Sequence, residues 1–213
     1  MKTIIKTILF TFVATTIILA QGFKVSTTGE QTFNFEDKYG RNQTSFFSTT
    51  PLEDITGISN SVKGKVTFNV SDVKTIKGSI SIPVSSLDTG IELRNEHLKS
   101  SNWMDAENYP EIIFTIKKIS DVKVENDTKI NAKVTGDFTA HGVTKEVVAE
   151  VTMTYLVASE QTKKRAPGDL LGVQAKFNVN LSDYEIENMI VGQKVAEEIE
   201  ISVNIVGSNA GAM

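Results

Sequence analysis

From Val62 onward apolar and polar side chains alternate with period two, the pattern of strands that bury one face and wet the other. In residues 62–70 the apolar set is Val62, Gly64, Val66, Phe68 and Val70, with Lys63, Lys65, Thr67 and Asn69 between them. Ile76, Gly78, Ile80 and Ile82 repeat the pattern after the turn formers Ser71 and Asp72. Further alternating runs occupy 112–116, 130–138, 147–155, 173–181 and 199–205. With a strand around Phe33 and Phe35 the count reaches about eight, the regime in which a sheet closes into a small barrel. One-sided polarity implies antiparallel pairing with water outside, since parallel strands are covered on both faces. The chain is read as all-β: an extended antiparallel eight-stranded barrel of lipocalin-like type, with a two-sheet sandwich as the alternative. The inward sets are rich in Val, Ala and Gly with scattered Phe, so the interior is either filled by its own side chains or hollow enough for one ligand.

One segment breaks the rhythm. Residues 87–110 place Thr89 three positions before Glu92, a capping-box spacing, and then Ile91, Arg94 and Leu98 near helical spacing. Lys99 suits the end of such a helix and Pro110 forbids its continuation. The expectation is a short helical insertion lying across a barrel end. Residues 158–170, with Pro167 and Gly168, read as a flexible loop.

The first twenty residues have Lys2 and Lys6 ahead of an apolar run ending at Ala20, the layout of a secretory signal peptide or of an uncleaved anchor. That divides the chain into a leader, 1–20, and one domain, 21–213, expected in the periplasm or secreted. No later stretch is long and apolar enough to span a bilayer as a helix. The chain has no cysteine, so an exported domain of this size must rely on its core. Removing the leader takes the formal net charge from −4 to about −6, which disfavours nucleic acid as a partner.

Catalytic signatures are sparse. There is no GxSxG elbow, no phosphate-cradling glycine loop, and only two histidines, His97 and His141, far apart in sequence. A metal site would need several converging ligands, and none is predicted. His141 precedes Gly142 between two alternating runs, so it belongs either to a hairpin turn or, with Lys145, to a rim contacting a ligand head group.

The run LDTGIELRNEHLKSSNWMDAENYPEIIFTIKKI and the later VTGDFTAHGVTKEVVAEV together resemble the YceI-like family of bacterial exported proteins. The match rests on Asp88, Thr89, Gly90, Arg94, His97, Leu98, Asp105, Tyr109, Pro110 and Phe114, then Gly136, Thr139, His141, Gly142, Val143, Thr144 and Lys145. The chain departs where the family's Arg-Asp pair is Arg94-Asn95 and its two aromatics are Trp103-Met104. The resemblance implies a lipocalin-like barrel that takes a polyisoprenoid or similar long-chain amphiphile, an isoprenoid quinone or prenyl phosphate among them, into a hydrophobic interior. It implies a non-enzymatic binding protein with no cofactor other than such a lipid. Arg94, His97, His141 and Lys145 are then candidates for the head group, Trp103 and Met104 for apolar cover. Phe68, Phe114, Phe138 and Phe177 either touch the tail or meet at the axis of a filled, structural barrel. An enzyme acting on a small lipid is the remaining alternative. Oligomeric state is not fixed by the sequence, a homodimer being one option.

Overall fold

The computed structural model describes residues 21–211; the expected leader lies outside them. Alternation of β-branched and polar residues yields ten strands: β1 (Glu30–Asn34), β2 (Gln43–Thr49), β3 (Asp54–Ser59), β4 (Lys63–Asn69), β5 (Asp72–Pro83), β6 (Glu111–Asn126), β7 (Lys129–Ala140), β8 (Val143–Leu156), β9 (Leu170–Asn180) and β10 (Glu198–Ser208). A single α-helix among the described residues, α1 (Glu92–Lys99), falls between β5 and β6. All strand pairings are antiparallel, in the order β1-β4-β5-β6-β7-β8-β9-β10, and β1 returns to β10 through Asn34 and Ser208. The eight strands expected from the sequence are the eight that close this ring. β2 and β3 form an additional hairpin that pairs with β10 from Glu200↔Phe47 to Asn204↔Gln43 and lengthens the wall at one end.

Closure follows from the unpaired edge that a one-sided apolar sheet would otherwise expose. The inward sets meet in one core spanning β1 and β4–β10, from Phe33 and Val66 through Ile130, Val134 and Met153 to Leu171 and Ile205. One end is stoppered. Phe68 stacks on Phe33 at 5.7 Å, and Tyr155 meets Phe33 edge-on at 5.5 Å and Phe23 at 5.4 Å. Three of these rings, Phe33, Phe68 and Tyr155, have no exposed surface. The segment from Gln21 is strapped across that end by Phe23 N–H to Val70 O (2.8 Å) and Lys24 N–H to Asp127 O (2.8 Å).

Two local expectations change. Thr89 does not cap α1: the residue before the helix is Ile91, with no side-chain cap, and Asn95 reaches back instead. Its Oδ1 accepts from Thr89 N–H (2.7 Å) and Thr89 Oγ1 (2.8 Å), while its Nδ2 donates to Asp88 Oδ1 (2.7 Å). The polar entry to the helix is thereby satisfied by an Asn amide where the capping box would have used Glu92. Residues 158–170, read as a flexible loop, are tied down by charge. Arg165 donates to Asp37 Oδ2 (2.6 Å) and Asn42 Oδ1 (2.9 Å), and Asp169 accepts from Ala158 N–H (2.7 Å), Tyr155 Oη (2.7 Å) and Thr27 Oγ1 (2.6 Å).

Candidate functional site

Above the stopper the barrel is hollow. A cavity of about 480 Å³ runs from Val66, Met153 and Leu171 beside the closed end to Ile91, Leu93 and Ile190 at the open one. That volume lies in the roughly 300–1,000 Å³ range of sites that enclose a small molecule. The last three side chains are solvent-exposed, so the cavity reaches the surface among them. Its wall is built almost wholly of aliphatic and aromatic side chains, with polar groups gathered where β2, α1 and the 185–197 segment border the mouth.

Glycine keeps the barrel from filling. At Gly136 a Cβ would lie 2.5 Å from the Phe114 ring, and at Gly57 it would lie 2.1 Å from the Phe46 ring. Both rings are therefore laid against bare backbone, and both line the cavity. A side chain at Gly57 would push the Phe46 ring off the wall, and one at Gly136 would meet the Thr115 carbonyl, 2.6 Å away, as well as the Phe114 ring.

At the mouth Arg94 of α1 forms an ion pair with Glu53 from the β2–β3 turn. His97 and Lys194 flank the same opening, and Ser48 Oγ accepts from Ala196 N–H (2.8 Å), tying β2 to the 185–197 segment. Within the wall, Phe114, Phe177, Phe138 and Tyr184 form a continuous aromatic series, with centroids 5.8, 5.3 and 5.5 Å apart in turn. Among the described residues no group of three or more His, Cys, Asp or Glu side chains could hold a metal ion.

The model for the YceI-like domain matches residues 40–207, which is most of the chain and every strand from β2 to β10. The chain belongs to the YceI-like family. A Photorhabdus laumondii UPF0312 protein is 30% identical over 144 residues, 68% of each chain, and Protein YceI of Escherichia coli O157:H7 is 27% identical over 68% of this chain and 69% of its own. Among solved structures, BcnA of Burkholderia cenocepacia superposes with a TM-score of 0.61 at 20% identity, covering 78% of this chain and 96% of BcnA. A polyisoprenoid binding domain from Saccharophagus degradans gives 0.62 at 14% identity, covering 84% and 98%. These two share the fold.

In this YceI-like barrel seven of the ten side chains singled out by sequence converge on one cavity: Arg94, His97, Trp103, Met104, Phe114, Phe138 and Phe177. Three do not. Phe68 belongs to the aromatic stopper, one inward position beyond Val66. His141 occupies a tight turn with φ 51°, followed by Gly142 at φ 74°, a left-handed pair of the kind that closes a two-residue hairpin. Its Nδ1–H donates to the Tyr184 carbonyl (3.0 Å) and its ring meets Tyr109 edge-on at 4.9 Å, so it serves the turn and not the cavity. Lys145 is exposed on β8 and is not part of the cavity wall.

Sequence reading missed Glu53, Lys194, Ser48 and Tyr184, all of which border the cavity. Each lies in a turn or in a strand whose buried face is polar, and no local pattern marks such positions. Burial pushes the Tyr184 phenol up to about 12, with Asp183 adding to the shift, so it stays protonated throughout the physiological range.

Proposed function

We propose that this protein is an exported, non-enzymatic binding protein that holds a polyisoprenoid or similar long-chain amphiphile inside its barrel. The observation that carries this reading is the apolar cavity of about 480 Å³, closed at one end by aromatic rings and open at the other beside Arg94, His97 and Lys194. Such a shape suits a molecule with a greasy tail and a polar head. Each buried methylene-sized group contributes about 0.8 kcal/mol, so a dozen give about 10 kcal/mol before the costs of association. A long tail therefore needs few specific contacts. The head group stays near the mouth, where cationic side chains favour an anionic or strongly polar end. The family membership and the Saccharophagus degradans domain, described as polyisoprenoid binding, support the same ligand class. The leader-like first twenty residues support a periplasmic or secreted location.

The alternative of a filled, purely structural barrel turns on Phe114, Phe138 and Phe177. These rings do touch one another, yet they stand in the wall and leave the space beside them open. Native mass spectrometry of protein purified from its own host, followed by lipid extraction, tests the proposal. A stoichiometric amphiphile is the expected result; protein that stays empty in the presence of excess prenyl lipids refutes it.

A further inference from the structure

The mouth of the cavity is apolar on its outside as well as within. Of the eleven large apolar side chains exposed among the described residues, five belong to the three segments that border the opening: Leu52, Ile91, Leu93, Met189 and Ile190. Leu52 precedes Glu53 in the β2–β3 turn, Ile91 and Leu93 stand at the start of α1, and Met189 and Ile190 lie in the 185–197 segment. Contacts between the segments join them into a ring. Arg94 pairs with Glu53, Asn188 Nδ2 donates to Asn102 O just after α1 (3.5 Å), and Ala196 N–H donates to Ser48 Oγ (2.8 Å). Ile91, Leu93 and Ile190 also line the cavity, so at these positions its apolar wall continues onto the outer surface.

Single exposed apolar residues are ordinary on a folded protein, whereas a cluster of them marks a contact surface. Met189 is 91% exposed and Leu52 75%, and neither lines the cavity, so a ligand inside the barrel leaves both in water. Only a surface outside the barrel can cover them. Both ends of the described chain lie at the opposite pole: Gln21 O accepts from Val73 N–H (3.0 Å), and Asn209 Nδ2 donates to Gln31 Oε1 (2.9 Å), whose residue pairs with Phe68 of the stopper. The mouth is therefore the free end of the barrel. Charges beside the rim are of both signs, Glu92, Glu96 and Lys99 on α1 and Glu187, Lys194 and Glu197 in the 185–197 segment. Such a rim has no net positive charge to draw it to an anionic surface.

We propose that this rim docks on the zwitterionic surface of a lipid bilayer, so that the amphiphile passes between membrane and cavity without crossing water. This rests on the lipid-binding reading above and adds to it the partner with which the ligand is exchanged. A long tail drawn through water loses, at every carbon, the burial that holds it in the barrel. A rim seated at the boundary of head groups and acyl chains removes that step, because the tail then moves from one apolar phase into another. A protein partner on the same rim would cap the opening instead. Leu52 and Met189, outside the cavity and at the tips of two different segments, are the side chains that enter the bilayer surface.

The test compares the protein purified from its own host with its Leu52→Ser/Met189→Ser variant. Flotation with vesicles of phosphatidylcholine, alone or mixed with phosphatidylglycerol, reads docking; displacement of an apolar fluorophore by farnesol or geranylgeraniol in solution reads the cavity; sedimentation velocity reads the oligomeric state. The wild-type chain is expected to float with phosphatidylcholine vesicles, with little change on adding phosphatidylglycerol or salt. The double variant should bind the vesicles at least roughly tenfold more weakly. Its prenyl-alcohol affinity and melting temperature should stay the same, since both side chains are exposed and lie outside the cavity. A wild-type chain that binds the prenyl alcohols but no vesicle, a variant that floats equally well, or docking that requires phosphatidylglycerol each overturn the inference. So does a wild-type dimer that the variant splits into monomers, which would assign the rim to a second copy of the chain. Failure of the wild-type chain to bind either prenyl alcohol is a different result: it refutes the lipid-binding reading itself, and this inference with it.

Discussion

Single side chains decide several features that spacing alone left open. His141 was placed by sequence either in a turn or at a head-group rim, and its φ of 51° together with the bond to Tyr184 O assigns it to the turn. Arg94 lies at the mouth with Glu53, 41 positions earlier, as its partner. Asp37, which no sequence pattern marks, is a buried carboxylate held between two arginines. Asp37 has no exposed side-chain surface and accepts from Arg41 Nε (2.9 Å), Arg165 (2.6 Å) and the backbone N–H of Tyr39 (3.1 Å). Burial works against its charge, but the hydrogen bonds from Arg41 and Arg165 outweigh burial and hold the carboxyl well below the usual carboxylate range. Because the folded state lowers this pKa, the associated stability is present above about pH 4 and is lost as pH falls further. Asp37→Asn should therefore cost about 2 kcal/mol at neutral pH, reduced from a fully buried pair because both arginines are partly exposed, and should flatten the acid limb of stability. Urea unfolding between pH 3 and 7 checks both; an acid limb as steep as the wild type's would assign the effect to other carboxylates.

At the level of elements, the strands that alternate cleanly were legible and those that do not were missed. β2 buries Thr44 and Ser48, and β3 buries Ile55, Gly57 and Ser59, so their inward faces carry hydroxyls and a glycine where the pattern demands hydrocarbon. The same glycine shows why the hairpin matters. A Cβ at Gly57 meets first the Phe46 ring, at 2.1 Å, and the ring rather than the backbone must give way. Gly57→Ala is thus expected to fold with a loss of about 1–3 kcal/mol and to turn Phe46 toward the cavity. Ligand capacity should fall in the variant even where thermal stability is largely kept, as stoichiometry of lipid recovered by extraction would show. β6 illustrates a second source of error: its register against β7 shifts at Ile116/Lys118 and Ser120/Lys123, with Asp121 at φ 50°. Each irregularity exchanges inward and outward positions, and a strict period of two stops short at such a bulge.

For the whole molecule the decisive quantity is the space left inside. Ala149 is buried, sits on β8 and borders the cavity, where a large apolar side chain has room to occupy the volume assigned to a tail. Ala149→Phe is expected to raise or preserve the melting temperature, as cavity filling commonly does, and to abolish lipid uptake. A variant that is equally stable and still carries lipid in stoichiometric amount would show that the tail lies elsewhere. The sequence by itself determined the strands that close the ring, their inward faces and the helical insertion, because alternation and turn chemistry act over a few neighbouring residues. The tertiary structure alone decided that the interior is hollow, that Phe68 belongs to the stopper, and that Glu53, Tyr184 and Lys194 border one cavity. Those outcomes depend on which rings lie against which glycines and on where distant turns meet around a closed barrel, and no stretch of chain contains both partners.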